Sequence, residues 1–145
     1  MADKSKNNSK FKSSNTLDDI SALHNINKHK NSRATGSEYE TLAAAFLEQN
    51  GHTIITRNYR TRYGEIDIIS KCNSTLVFTE CKYRSSSKFG DPLEAVNLHK
   101  QQKICHTAMN FCVKYGYVNY PCRFDVIAIY KDGTIKHIKN AFEYS

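Results

Sequence analysis

The sequence predicts one α/β domain in which a mixed β-sheet is flanked by helices, in the order α-β-β-β-α-β-β. Three observations predict it. An amphipathic helical stripe precedes three short strand-like runs, a second helical run follows them, and two further strand-like runs end the chain. Short turns join the first three runs, which is typical of antiparallel strands, whereas a helical connection leads to a parallel strand.

The first helix is predicted from apolar residues spaced three and four apart, because this spacing places them on one helix face. These residues are Tyr39, Leu42, Ala43, Phe46 and Leu47. Gly51 ends the helix at about Asn50, since glycine readily adopts the left-handed conformation that terminates a helix. Three strands are predicted next, at Thr53–Tyr59, Glu65–Ser70 and Thr75–Tyr83, with Gly64 and Asn73-Ser74 as the turn residues between them.

The second helix is predicted to start at Asp91, whose side chain suits an N-cap, with Pro92 in the first turn. Its apolar line is Leu93, Val96, Ile104, Ala108, Phe111 and Tyr115, and Gly116 ends it. A strong strand at Arg123–Tyr130 and a short final strand at Thr134–Ile138 complete the sheet, with an Asp132-Gly133 turn between them.

Composition excludes several classes of protein. The 145 residues carry 21 Lys and Arg against 14 Asp and Glu, a formal net charge of +7. The five cysteines form no CxxC pair, which indicates reduced thiols in a cytoplasmic protein and not a zinc knuckle or disulfide framework. No run approaches the roughly 18 apolar residues of a membrane span or forms the apolar core of a signal peptide. We therefore expect no membrane partner.

Residues 1–35 differ in composition from the rest of the chain. They carry seven basic and three acidic side chains and few apolar ones. Such a segment buries too little apolar surface to offset its ordering entropy. We predict a disordered basic tail over residues 1–35 and a folded domain over residues 36–145. The tail either contacts nucleic-acid phosphates or is a solubilising leader, and both interpretations stay open.

Charged side chains occupy strand positions where a core is expected. With a two-residue turn at Asn73-Ser74, the numbers of cross-strand partners sum to 147, which places Asp67 opposite Glu80. Carboxylates opposed at roughly 5 Å between Cβ atoms repel, and a divalent cation such as Mg²⁺ would compensate them. Lys82 shares the strand face of Glu80 and is placed to stabilise hydroxide or phosphate charge. The pattern predicts metal-assisted phosphodiester hydrolysis.

The alternative is a solvated sheet face in which Glu65 lies opposite Lys82 as an exposed ion pair of little energetic value. Two helix residues favour a site. Glu40 borders the apolar stripe of the first helix, and Lys100 lies on the apolar line of the second, so both side chains aim towards the sheet. Either residue alone is explained by a long side chain that extends to water, but two such residues that converge on one carboxylate pair favour a functional site.

Several motifs follow one another along residues 36–143. They are Gly36-x3-Glu40-x2-Ala43-x2-Phe46-Leu47, Arg57-Asn58-Tyr59-Arg60, Gly64-Glu65-Ile66-Asp67, Val77-Phe78-Thr79-Glu80-Cys81-Lys82-Tyr83-Arg84, Phe89-Gly90, Lys100 and Arg123-Phe124-Asp125-Val126. Together they resemble the YraN-like bacterial family, which is grouped with the PD-(D/E)xK, restriction-endonuclease-like nucleases and Holliday-junction resolvases. The resemblance implies a restriction-endonuclease-like domain over residues 36–145 that hydrolyses DNA, including branched or flapped DNA.

The same resemblance implies roles for individual residues. Asp67 and Glu80 would bind Mg²⁺ or Mn²⁺, Lys82 would be the catalytic lysine, and Glu40 the helix glutamate that completes such sites. The carbonyl of Cys81 would also face the metal, while its thiol, where the family usually has an aliphatic residue, should point away from the site into the core. Resolvases that cut two strands often act as two-fold pairs, so a homodimer is an implied partner state, although the sequence displays no interface.

Basic residues near these strands suit contacts with the DNA backbone. They are Arg57, Arg60, Arg62, Arg84, Lys88 and Lys100. A polar strand edge explains the first three arginines equally well. Two other functional classes stay open: a nucleic-acid-binding protein of the same fold that is inactive or depends on a partner, and an assembly factor that acts on proteins. Arg123 and Asp125 are interpreted as a structural ion pair, and His99 and His106 as surface residues.

Overall fold

In the computed structural model, which describes residues 32–86 and 90–145, two helices and five strands follow one another in the predicted order. They are α1 (Ser32–Gln49), β1 (His52–Arg60), β2 (Glu65–Cys72), β3 (Thr75–Arg84), α2 (Leu98–Tyr115), β4 (Cys122–Tyr130) and β5 (Ile135–Phe142). A short 3₁₀ helix (Pro92–Ala95) precedes α2. The predicted α/β class and element order are confirmed.

The five strands form one mixed sheet in the order β1-β2-β3-β4-β5. The first three strands pair antiparallel, β4 runs parallel to β3, and β5 is antiparallel to β4. The helix α2 supplies the connection that a parallel pair requires. Between β2 and β3 the paired residues run from Ile68 and Thr79 to Cys72 and Thr75. All these pairs sum to 147, so the predicted register is confirmed.

Each helix covers one face of the sheet with its own apolar cluster. The α2 cluster contains Ile66, Ile69, Phe78, Ile104, Phe111 and Phe124, and the α1 cluster contains Ala43, Leu47, Ile68, Ile127 and Ile129. The central strands β3 and β4 are therefore buried on both faces, as parallel strands usually are. Polar side chains on these strands are conspicuous for the same reason, because a buried polar group needs a partner.

Two element boundaries differ from the prediction by more than two residues. Asp91 caps the 3₁₀ helix, while Asn97 is the N-cap of α2 and accepts a hydrogen bond from the Lys100 N–H at 3.0 Å. The buried Val96 leaves the helical conformation between them, so the helical run is interrupted. The final strand is longer than predicted because Phe142 stacks on Phe124 with ring centroids 5.0 Å apart.

The helix α1 begins at Ser32, four residues before the predicted domain start at Gly36. Residues 1–31 lie outside the described residues, so the basic tail stays a prediction. All five cysteines lie within the described ranges, and each is a free thiol. In residues 32–86 and 90–145, neither helix combines the length and apolar character that crossing a bilayer demands.

Candidate metal and phosphodiester site

Glu80 is a buried carboxylate in the centre of the sheet, and its side chain is only 5% exposed. One oxygen, Oε1, lies 2.8 Å from Lys82 Nζ on the same strand and 3.2 Å from Lys100 Nζ of α2. The other oxygen, Oε2, is buried and has no hydrogen-bond partner. Burying a charge costs several kcal/mol unless it is paired, so the two ammonium groups explain how Glu80 is tolerated, but the second oxygen remains unexplained by the protein alone.

Asp67 lies on β2 just beyond the last backbone pair with β3, where the two strands separate. Its Oδ2 accepts a hydrogen bond from the Cys81 N–H at 2.7 Å, so a side chain replaces the missing ladder partner. Burial, followed by the charge of Glu80, raises the pKa of Asp67 to about 7, against the lowering effect of the Cys81 N–H. The charge of Glu80 thus acts on Asp67, although the paired residues of β2 and β3 end one pair before the predicted opposition of Asp67 and Glu80.

Glu40 reaches this region from α1 but has a cationic neighbour of its own. Its Oε2 lies 3.8 Å from Arg57 Nη2, and the same guanidinium nitrogen donates a hydrogen bond to Thr41 Oγ1 at 3.1 Å. The charge of Glu40 still contributes to the raised pKa of Asp67. A cleft of about 730 Å³ between α1 and the β1–β2 hairpin is lined by both carboxylates, together with Arg60.

These residues fit a hard divalent cation better than a soft metal. Among the described residues, no three His, Cys, Asp or Glu side chains are grouped to hold a metal ion. The predicted set of Glu40, Asp67 and Glu80 is therefore not grouped as three ligands in the described residues, and a zinc-type site of protein ligands is not formed by them either. Mg²⁺ is usually bound by one or two carboxylates and keeps several waters, and the unpartnered Oε2 of Glu80 beside Asp67 matches that demand.

Cys81 is the middle residue of the Glu-x-Lys triplet. Its side chain packs against the apolar α1 cluster, as predicted, but the charges of Asp67, Glu80 and Glu40 act on its thiol, so it does not point away from the site. Burial, with smaller contributions from the charges of Asp67 and Glu80, raises the pKa of this thiol well above its usual value. The thiol is therefore protonated at neutral pH and unsuited to nucleophilic chemistry.

The predicted DNA-contacting residues fall into separate environments. Arg60 is 73% exposed on the cleft rim and pairs with Glu65 at 3.1 Å, while Arg62 lies over the Tyr63 ring. The pairing of Glu65 with Arg60 replaces the proposed Glu65–Lys82 pair, because Arg60 is the cross-strand neighbour on β1. Arg57 and Lys100 bind the site carboxylates, Arg84 has a buried Nε without a hydrogen-bond partner, and Lys88 lies outside the described residues.

Comparison with known proteins places the chain in a family. Residues 39–129 match the sequence profile described as "Uncharacterised protein family UPF0102". The chain belongs to this family. A UPF0102 protein of Desulforapulum autotrophicum is 50% identical over 107 residues, which are 72% of this chain and 88% of that protein. One from Lachnoclostridium phytofermentans is 44% identical over 114 residues, covering 78% of this chain and 96% of its own. The YraN-like resemblance is thereby confirmed.

A solved structure is also similar to this UPF0102 chain, although distantly. The structure of Pyrococcus furiosus SfsA in complex with Ca²⁺ matches with a TM-score of 0.35 and 13% sequence identity. The match covers 75% of this chain and 64% of the SfsA chain.

A second polar cluster of the UPF0102 chain was only partly predicted from its sequence. Arg123 and Asp125 form the expected ion pair, with Arg123 Nε 3.0 Å from Asp125 Oδ1. Asp125 is fully buried and lies 2.8 Å from His137 Nε2, while His52, 2.9 Å from Ser70 Oγ, stands beside His137. Burial acts to raise the pKa of Asp125, but hydrogen bonds from His137 and Arg123 outweigh it and lower that pKa.

The histidines of this cluster left no signal in the sequence. His52 begins β1 and His137 belongs to β5, the two opposite edges of the sheet, yet their ring centroids are 6.1 Å apart. This contact depends on how side chains from different strands meet over one face of the sheet, and no spacing along the chain encodes it. His99 and His106 are exposed, as predicted.

Proposed function

We propose that this protein is a metal-dependent nuclease-like hydrolase that cleaves DNA phosphodiester bonds. One observation supports the proposal above all others: Glu80 is buried with one oxygen held by two lysines and the other without a partner, directly beside Asp67. A protein that only needed stability would do better with apolar residues there, because a buried ion pair rarely stabilises a fold. The arrangement is consistent with a functional requirement.

The metal would be held by Asp67 and Glu80, with the carbonyl of Cys81 as a further oxygen donor. Glu40, which contacts Arg57, would have to move towards them to become a third carboxylate ligand. When bound, Mg²⁺ or Mn²⁺ would lower the pKa of a coordinated water and neutralise phosphate charge. The Cys81 N–H fixes Oδ2 of Asp67 and so leaves Oδ1 as the freer oxygen. Restricting the carboxylate in this way reduces the reorganisation that binding would require.

The two lysines would act on the phosphate. Lys82 Nζ is held 2.8 Å from Glu80 Oε1 while its side chain remains 27% exposed, so it can orient the attacking oxygen or stabilise charge that develops on the phosphate. Lys100 approaches the same carboxylate from α2, and its side chain is 35% exposed. This second ammonium group would bind a phosphate oxygen. Arg60, on the exposed rim of the cleft, would contact the DNA backbone outside the reacting group.

The decisive experiment is cleavage of forked DNA with Mg²⁺ or Mn²⁺. Asp67→Asn and Lys82→Ala should each lower the rate by about 100-fold or more, the usual effect of removing one preorganised electrostatic group. Matched controls are Glu48→Gln on α1 and Lys103→Ala on α2, whose wild-type side chains are exposed. Both controls should cleave like the wild type. Equal cleavage by all five proteins would identify the activity as contamination and remove the proposal.

A second candidate function is nucleic-acid binding without chemistry, or chemistry that requires a partner. It is favoured by the Glu40–Arg57 contact, which gives this carboxylate a cation in place of a metal. Salt-dependent DNA binding without metal-dependent cleavage on linear, forked and flapped substrates would support it. For either function we propose a cytoplasmic setting, supported by the five free thiols.

A further inference from the structure

A surface formed by the β1–β2 hairpin, α2 and the segment after α2 presents exposed tyrosines, each with a cation over its ring. Arg62 lies 4.8 Å from the ring centroid of Tyr63. The Nζ atoms of Lys114 and Lys71 lie 5.3 Å and 5.4 Å from the centroids of Tyr115 and Tyr120. The three tyrosines are 38%, 52% and 43% exposed. We call this the tyrosine–cation surface.

The tyrosine–cation surface is continuous. Two cavities of about 310 Å³ and 300 Å³ lie on it, the first beside Tyr63 and the second beside Tyr115. Tyr59 joins the two cavities. It lines the cavity beside Tyr115, and its hydroxyl donates a hydrogen bond at 2.8 Å to Oδ1 of Asn110, a residue that lines the cavity beside Tyr63. Among the described residues that line the two cavities, none is acidic.

Rings connect the cavities with the third tyrosine. The centroid of Phe111 lies 4.7 Å from that of Tyr115 and 5.7 Å from that of Tyr117, and Tyr117 lies 5.1 Å from Tyr120. Phe111 itself is buried, so it supports Tyr115 and Tyr117 from below, and the surface carries the exposed tyrosines with a positive charge beside each. An apolar protein partner would not require a cation at each exposed ring, whereas a polyanion with flat bases would use both features.

We propose that the tyrosine–cation surface binds a single-stranded segment of nucleic acid by stacking unpaired bases on Tyr63, Tyr115 and Tyr120. Each neighbouring cation would contact the phosphate that links the stacked bases. Aromatic stacking accepts every base, since each base has a π-face, and so needs no sequence-specific hydrogen bonds. Bases within a duplex are already stacked on one another and would gain nothing from these rings.

The surface adjoins the metal and phosphodiester site through β1. Asn58 and Arg60 line the cleft between α1 and the β1–β2 hairpin, whereas Tyr59, between them in the chain, lines the tyrosine–cation surface. A strand that leaves the cleft needs only to cross the hairpin to reach the tyrosines. Together with the proposed nuclease function, on which this step rests, the arrangement would select substrates that have a single-stranded arm next to the scissile bond.

The test measures binding of the full chain to a labelled oligothymidine in EDTA, so that cleavage plays no part. Tyr115→Leu and Tyr120→Leu keep apolar bulk but remove the π-face, and each should weaken binding by about five-fold or more. Tyr115→Phe and Tyr120→Phe are the matched controls and should bind like the wild type. Affinity for a duplex of equal length should be unchanged in all four variants.

Several outcomes would overturn the inference. One is equal oligothymidine affinity for the Leu and Phe variants, which would show that stacking contributes nothing. Another is a parallel loss of duplex binding. A third is wild-type self-association in sedimentation that Tyr115→Leu abolishes, which would make the surface an interface between copies. Tyr120 contacts Tyr117 alone among the described ring pairs, so its variants remain informative should Tyr115→Leu unfold.

The binding test also separates this inference from the proposed function. Glu48→Gln on α1, whose exposed side chain lines neither the cleft nor the tyrosine–cation surface, should bind oligothymidine like the wild type. Loss of oligothymidine binding in the Leu variants, in a protein that cleaves nothing, would support the surface and count against the nuclease. Normal binding in the Leu variants, in a protein whose cleavage depends on Asp67, would do the reverse.

Discussion

Replacing Asp67 by asparagine tests whether the two site carboxyl groups are as crowded as the structure indicates. Asparagine keeps an oxygen that can accept the Cys81 N–H, which now bonds Asp67 Oδ2 at 2.7 Å, but it cannot ionise. With metal removed by EDTA, any change in the pH dependence of stability therefore reports the charge of Asp67 together with its repulsion from Glu80.

The size of the effect follows from the pKa of Asp67. Burial and then the Glu80 charge raise this pKa from 3.8 to about 7 in the folded protein. A carboxyl group with a raised folded-state pKa binds more protons folded than unfolded between these values, so stability falls as pH rises through this window. At 1.36 kcal/mol for each pKa unit, the wild type should lose about 4 kcal/mol between about pH 4 and pH 8 through this group.

The assay is urea unfolding followed by circular dichroism at about pH 5 and about pH 8. The stability advantage of Asp67→Asn over the wild type should grow by about 3 kcal/mol between these pH values, because most of the titration lies within them. Glu48→Gln, which alters an exposed carboxyl group of α1, should show no comparable growth. Parallel pH profiles for the wild type and Asp67→Asn would refute the raised pKa of Asp67, which burial and then the charge of Glu80 produce.

Three further predictions concern the buried charges. Glu80→Ala should lower the free energy of unfolding by about 3 kcal/mol in urea titrations, because it leaves Lys82 and Lys100 without their counter-charge; an unchanged midpoint would mean that these ion pairs are not formed. Asp125→Asn should also cost about 3 kcal/mol at neutral pH. The pKa of Asp125 is lowered on folding, so its stabilising effect is present above about pH 4 and is lost as pH falls through the folded-state pKa. In acid, the free energies of unfolding of Asp125→Asn and the wild type should therefore become equal. A constant difference between them down to low pH would contradict this. Finally, Mn²⁺ at a hundred times its Kd should raise the free energy of unfolding of the wild type by about 2.7 kcal/mol, and so raise its thermal unfolding midpoint, but should not stabilise Asp67→Asn. Equal midpoint shifts in both proteins would place the ion elsewhere.

Turn residues and the alternation of side chains within strands were sufficient to predict most of the fold. Turn residues at Asn73-Ser74 fix the β2–β3 register, and alternation within each strand then assigns the faces. The same reasoning could not place the start of α2. Asp91 and Asn97 are both good N-caps, and what decides between them is the burial of Val96 against the sheet, a tertiary effect.

Contacts in the candidate site were predictable where strand register or the apolar line of one helix determines them. Contacts that depend on how two elements pack together were not. Register brings Asp67 to Glu80, and the apolar line of α2 brings Lys100 to the same carboxylate. The contact of Glu40 with Arg57 depends on how α1 lies across β1, which no spacing within either element encodes. The pairing of Glu65 with Arg60 depends likewise on the β1–β2 register, which a bulge between Ile54 and Thr56 shifts.

The most direct test of the proposed function is a crystal structure of the protein soaked with Mn²⁺, examined by anomalous scattering. The proposal predicts one strong peak within coordination distance, about 2.1 Å, of oxygens from both Asp67 and Glu80. It also predicts that the peak lies on the side of Glu80 Oε2, the buried oxygen that has no hydrogen-bond partner among the described residues. Manganese bound only at exposed carboxylates, with Glu80 still held by its two lysines alone, would contradict the proposal.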